Sequence, residues 1–247
     1  MSHWRLIGIG IGAYALGLIV AAPATLIDAT LQQASAGRLR LAEARGTLWS
    51  GSGLIEIRDR TRRAGVAKTI AWRILPAYLL RGELRSEIEL DQTARRFPVT
   101  LSLSRIELAD ADINLPAAAL GLAVPSLAPL ELTGDVLLRI ARLSLDPNAI
   151  RGNAALQWHN AGSSFAPVSP LGDYELRLEG DGAAVRASLV TLRGPLQLDG
   201  QGSWTSGGKP LFQGTARVPP QHLRQLAPLL RLIPIERGDG SFELQLN

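Results

Sequence analysis

From residue 38 to the C-terminus, apolar and polar residues alternate with a period of two. In GELRSEIEL, Leu84, Ile88 and Leu90 face one way and Arg85, Glu87 and Glu89 the other. GDYELRLEG sets Tyr174, Leu176 and Leu178 against Asp173, Glu175, Arg177 and Glu179. GSFELQLN repeats the pattern with Phe242, Leu244 and Leu246. Alternation of this kind predicts antiparallel strands with one buried and one wet face. The phase slips twice. Val99, Leu101 and Leu103 give way to Ile106 and Leu108, and Val136, Leu138 and Ile140 hand over to Leu143 and Leu145. A one-residue slip turns side chains to the wrong face unless a bulge or bend absorbs it, so a strongly twisted or curled sheet is expected.

Glycines 82, 134, 152, 172, 194, 214 and 240 punctuate the alternation without a fixed repeat. Helical signals are few and short. ILPAYLLR and LPAAALGL predict a turn or two each. PPQHLRQLAPLLRLI is the best helix candidate, with Pro219 and Pro220 at its start. No stretch resembles an interdomain linker. AGSSFAPVSPLG, residues 161–172, reads as the longest loop, and a single continuous sheet is expected across it.

The N-terminus has a different pattern. No charged residue occurs from Leu6 to Ile27, and Asp28 ends the run. As a helix this segment would span roughly 33 Å, the thickness of a bilayer's hydrocarbon core. Its glycines do not make a dinucleotide-binding loop, because too few residues precede Gly8 to form the required strand. Ala22-Pro23-Ala24 resembles a leader-cleavage site, but the apolar run continues through Leu26 and Ile27, which favours an uncleaved anchor. Arg5 and the α-amino group mark the short tail as cytoplasmic and the folded body as exported.

Composition narrows the function. The 247 residues include 46% apolar and 19% charged residues, a folding sequence with room for one sizeable domain beside an anchor. The net charge is +4, but acids interleave with the arginines and leave no basic stripe of the kind that binds nucleic acid. There is no cysteine, which excludes disulfides, thiolate metal sites and thiol nucleophiles. His3, His159 and His222 are far apart and form no metal-binding spacing. No nucleophile elbow or phosphate loop occurs. Asp110 and Asp112 share one side of a strand and are the nearest approach to a carboxylate pair, although exposed turn acids are the commoner reading. A sheet with one apolar face must cover that face, fold over it or hold something apolar against it, since exposure costs ~25 cal/mol per Å².

A set of motif elements runs through the chain in order. Gly46-Thr47-Leu48-Trp49-Ser50-Gly51 follows the apolar run. Trp72-Arg73-Ile74-Leu75-Pro76 comes next, with Leu79, Leu80 and Gly82. Leu171-Gly172-Asp173-Tyr174 and Gly194-Pro195-Leu196 come later. This order resembles the type II secretion system protein N family, GspN. The resemblance implies a non-enzymatic inner-membrane component of the machine that exports folded periplasmic proteins across the outer membrane. Residues 1–5 would be a cytoplasmic tail, 6–27 the transmembrane helix, 28–37 a juxtamembrane segment and 38–247 a periplasmic β-rich domain. Its partners would be other type II secretion subunits, docked on exposed strand edges or on the membrane helix. The family brings no cofactor, metal or catalytic residue, and Gly46, Thr47, Trp49, Ser50, Gly51, Trp72, Pro76, Gly82, Gly172, Asp173, Tyr174, Gly194 and Pro195 are expected to be structural. Trp49 is expected to fill the space beneath the first strands. The family is also similar to AsmA-like proteins, which suggests a mainly β fold curled into a groove or flattened barrel with a few short helices. A lipid-binding or lipid-transfer module with an apolar β-groove is the alternative function.

Overall fold

The computed structural model describes residues 14, 17, 18, 20–58, 64–91, 95–166, 168–205, 208, 211–222, 226, 235–237 and 241–246. The chain forms two compact units, Met1–Arg96 and Phe97–Asn247. The boundary therefore falls at residue 96, and the sequence carries no glycine- or serine-rich linker to mark it.

In the N-terminal unit a helix, α1 (Thr25–Ala34), precedes four antiparallel strands: β1 (Leu39–Gly46), β2 (Ser50–Arg58), β3 (Ala64–Leu75) and β4 (Leu84–Leu90). They pair in sequence order. A 3-10 turn, Pro76–Arg81, joins β3 to β4. Ala24, Leu41 and Trp72 form the core, with Ile27, Leu31, Ala44, Ile70 and Ile74 packed around them. The outer edge of β1 is not open, as a docking edge would have to be. α1 lies along it, where Asp28 Oδ1 accepts the Leu41 N–H at 2.8 Å and Ser35 Oγ accepts the Leu39 N–H at 2.9 Å. A paired edge no longer invites strand addition.

Half of the expected span 6–27 lies outside the described residues. Tyr14, Gly17, Leu18 and Val20 are helical, but the helix stops at Ala21. Pro23 then bridges Thr47, and Ala24 is buried against Leu41 and Trp72. Leu26 and Ile27 begin a separate helix, so the apolar run is not one helix to Ile27. Of its last residues, Ala24 and Ile27 belong to the core of the folded body, while Leu26 is exposed. No helix among the described residues is long and apolar enough to cross a membrane.

The C-terminal unit contains β5 (Phe97–Leu101), β6 (Ile106–Pro116), a short helix α2 (Ala118–Ala123), β7 (Leu132–Asp146), β8 (Ala149–Ser163), β9 (Gly172–Asp181), β10 (Ala184–Arg193), β11 (Gln197–Thr205), β12 (Leu211–Arg217), β13 (Ile235–Arg237) and β14 (Ser241–Leu246). Neighbours in sequence are neighbours in the antiparallel sheet, except that β14 lies between β12 and β13. Neither unit closes its sheet among the described residues, so the flattened-barrel alternative is not realised. The second phase slip is a bulge, as expected: the β7–β8 register shifts between Ile140 and Arg142. The first is not. Ser102 and Arg105 close a hairpin turn between β5 and β6, and the slip marks the end of one strand and the start of the next. Of the PPQHLRQLAPLLRLI candidate, Pro220–His222 form a 3-10 turn and Leu226 is buried with Leu171, Leu196, Ala216 and Val218. Pro219 precedes the turn, and residues 223–225 and 227–233 lie outside the described residues.

Candidate functional site

The motif elements come together as two corners, one in each unit. In the N-terminal unit, Gly46 and Gly51 pair across the β1–β2 ladder and flank the turn 47–50. Gly46 has φ +94°, which opens the turn at little steric cost. The Thr47 N–H donates to the Ser50 carbonyl at 2.9 Å and the Ser50 N–H to Thr47 Oγ1 at 3.2 Å. Trp72 stands opposite Gly51 on β3, and a β-carbon on Gly51 would lie 2.5 Å from the indole Cζ2. The missing side chain is therefore the space that the Trp72 ring occupies. Trp72 is 8% exposed and donates its indole N–H to the Leu48 carbonyl at 3.1 Å. The place beneath the first strands belongs to Trp72 and not to Trp49, which is half-buried in the turn itself. The Trp49 carbonyl accepts the Ile74 N–H at 2.6 Å.

The same turn holds the end of the N-terminal segment. The Leu48 N–H donates to the Ala22 carbonyl at 2.8 Å, and the Ala24 N–H to the Gly46 carbonyl at 3.3 Å. Asp28, four residues on, feels opposed influences. Burial raises its pKa, but donors from Gln32 and the Leu41 N–H, with Arg40 and Arg58 nearby, bring it below the usual carboxylate value. Pro76 starts the next turn and Gly82, in the left-handed region, ends it.

In the C-terminal unit, Gly172, Asp173 and Tyr174 open β9, while Gly194, Pro195 and Leu196 make the turn after β10. The two segments touch: a β-carbon on Gly172 would lie 2.7 Å from the Arg193 carbonyl oxygen. Register shifts fall on both flanks, between Trp158 and Ala161 and between Thr191 and Arg193. Asp173 is 5% exposed. Its Oδ1 accepts the Asn160 N–H at 2.8 Å and its Oδ2 accepts Arg193 Nε at 2.6 Å, with His159 Nδ1 3.7 Å away. Burial raises the Asp173 pKa, and these donors and charges more than offset it, so the group is held below its ordinary value.

Tyr174 is 3% exposed and donates its hydroxyl to the Leu196 carbonyl at 2.9 Å. Burial, with the Asp173 charge behind it, pushes the phenol pKa well up. Its ring meets Trp158 at 5.8 Å between centroids, in a tilted arrangement. Glu175 follows, buried, bonded to Gln157 at 2.7 Å and paired with Arg177.

The alternation sets Asp173 and Glu175 on a wet face, but both are buried at this corner, and neither Asn160 nor Arg193, which complete it, stands out in the sequence. Asn160 carried one signal: it has φ +48°, a conformation that Asn tolerates better than most residues, at the point where the β8 register shifts. Asp110 and Asp112 are both exposed on β6 and are not brought to either corner. Among the described residues no cluster of three or more His, Asp or Glu side chains is placed to hold a metal ion. A concavity of about 480 Å³ lies over the wet face of β9 to β12 and is lined in part by Arg177, Glu179, Arg186, Ser188, Gln201 and Gln213.

The fold and its corners define a β-sheet scaffold whose motif residues bond to one another. The sequence matches the family described as type II secretion system (T2SS), protein N, over residues 37–245. The chain belongs to this family, as its ordered motif elements suggested, and membership implies interaction with other components of a type II secretion system. Comparisons with curated proteins and with solved structures returned no match.

Proposed function

We propose that the protein is a non-enzymatic, inner-membrane component of the type II secretion machine. Residues 6–20 enter the bilayer, and the two β-units stand in the periplasm and work by contact with neighbouring subunits. The family match across residues 37–245 carries this reading. The inward-facing corners support it, because Asp173, Tyr174 and Trp72 spend their polar atoms on neighbouring backbone and side chains. The exposed apolar helical residues Tyr14, Leu18 and Val20 support the anchor.

Deletion of the gene tests the proposal through the levels of exported proteins inside and outside the cell. The expected result is their accumulation in the periplasm and loss from the medium. Unchanged export overturns it.

One observation favours the lipid-binding alternative. Ile113, Leu138, Leu156, Leu176 and Leu189 stand opposite one another from β6 to β10, an apolar row on one face of the sheet. Native mass spectrometry after gentle extraction tests it, with stoichiometric phospholipid expected if that row holds a lipid. The family match over residues 37–245 supports the secretion-component reading ahead of this one.

A further inference from the structure

Leu80 is 93% exposed and Leu79 is 42% exposed, side by side on the turn Pro76–Arg81. The turn itself is well tied. Pro76 starts it, and the N–H groups of Gly82 and Glu83 close it onto the carbonyls of Leu79 and Tyr78 at 3.0 and 3.2 Å. Behind the two leucines, guanidinium groups lie over the Tyr78 ring, Arg85 at 5.0 Å from its centroid and Arg81 at 5.8 Å. Arg85 also donates to the Tyr78 hydroxyl at 3.1 Å. Arg73 is exposed on β3 opposite Glu87, and Glu83 follows the turn. The result is an apolar tip with a collar in which three arginines outnumber two acids.

The tip shares a rim with the end of the N-terminal helix. Ala22 is bonded to Leu48, Trp49 is bonded to Ile74, and Ile74 is two residues before Pro76. At ~4.8 Å per strand, these two steps put Ile74 roughly 10 Å from Ala22, and the turn begins two residues further on. The helix that ends there shows Tyr14, Leu18 and Val20 to its surroundings.

We infer that this rim is a lipid-binding surface that lies on the bilayer. Leu79 and Leu80 enter the boundary between headgroups and acyl chains. Arg81 and Arg85 meet lipid phosphates, and Tyr78 sits at interface depth, where aromatic residues are enriched. The inference rests on the anchored reading of residues 6–20. It adds a second contact that fixes how the N-terminal unit is tilted. A bilayer is the occupant that the position selects: the helix ends about two strand spacings from the start of the turn, which brings the arginine collar to the headgroups, whose charge is complementary.

The chain has no cysteine, so Leu80→Cys gives a unique site for an environment-sensitive fluorophore. The full chain is reconstituted into vesicles of phosphatidylethanolamine and phosphatidylglycerol that carry a lipid quencher at the headgroup boundary. Leu192→Cys, an exposed leucine of the C-terminal unit, is labelled as the reference. Circular dichroism checks that both variants fold.

The expected result is blue-shifted emission at position 80 and quenching severalfold above the reference. If the protein floats with the vesicles but position 80 reports water, the inference is overturned and the anchor stands. If the protein does not float, the anchored reading fails and the inference fails with it. A position that is wet in pure lipid but shielded in cells identifies a protein partner and overturns the lipid surface.

Discussion

Gly194 and Gly172 meet backbone to backbone: a β-carbon on Gly194 would collide with the Gly172 Cα and lie 2.6 Å from the Leu171 carbonyl oxygen. Gly194 also has φ +129°, where side chains are strained whatever the space. Gly194→Ala is therefore expected to destabilise the C-terminal unit by well over ~1 kcal/mol. Gly82→Ala is the comparison. Its φ is +72° but nothing lies within 4 Å of an added β-carbon, so only the conformational penalty of ~1–2 kcal/mol applies. Urea unfolding curves of the two variants measure the difference.

Trp72→Ala should destabilise the N-terminal unit by ~3–5 kcal/mol, the usual range for loss of a buried tryptophan. It also leaves the Leu48 carbonyl without its indole donor. Trp49→Ala, at a half-buried position, should be the milder change. Equal losses in chemical denaturation would show that Trp49 packs as deeply as Trp72 and would refute the assignment of the buried place.

Asp173 and Glu175 both have folded-state pKa values lowered below the ordinary 3.8 and 4.5. A depressed carboxylate stabilises the fold above its unfolded pKa and loses that contribution as pH falls through the folded value. The C-terminal unit should accordingly be steady at neutral pH and weaken from about pH 4.5 downward. Asp173→Asn should flatten the acid limb of a plot of unfolding midpoint against pH. It should also lower stability at pH 7, because the Arg193 guanidinium loses its charged partner.

Asp28→Ala removes the acceptor of the Leu41 N–H on the outer edge of β1. A loss of ~1–3 kcal/mol is expected if that N–H is left unsatisfied, and less if water replaces the carboxylate. Amide hydrogen exchange is the direct readout, with Leu41 exchanging faster in the variant and amides in the β2–β3 ladder unchanged.

The strands were legible where alternation was clean. β4, β9 and β14 fall where Leu84–Leu90, GDYELRLEG and GSFELQLN place them, because a period of two is the signature of extended backbone, although the polar side of β9 is wet only from Arg177 onward. The β5–β6 hairpin was not legible. Its turn, Ser102-Leu103-Ser104-Arg105, contains no glycine, proline or asparagine, so the phase slip there reads as a bulge within one strand and not as a hairpin turn.

The corners were visible as motifs but not as contacts. Whether Trp49 or Trp72 is buried depends on the β2–β3 register that sets Trp72 against Gly51. Asp173 takes its donors from Asn160 and Arg193, 13 and 20 residues away along the chain. Pairings at that separation are set by strand register, which one sequence does not reveal.

The bond from Leu48 to Ala22 ties the body to the chain one residue after the N-terminal helix ends. A body hung on a floppy leash can swivel and roam, and a sideways pull on its membrane segment is lost in slack. Here there is no slack to lose. For a segment held in a bilayer, any tilt or sideways drag on it would pass straight into the first strands, and the height of the N-terminal unit above that bilayer would be set to within a residue or two.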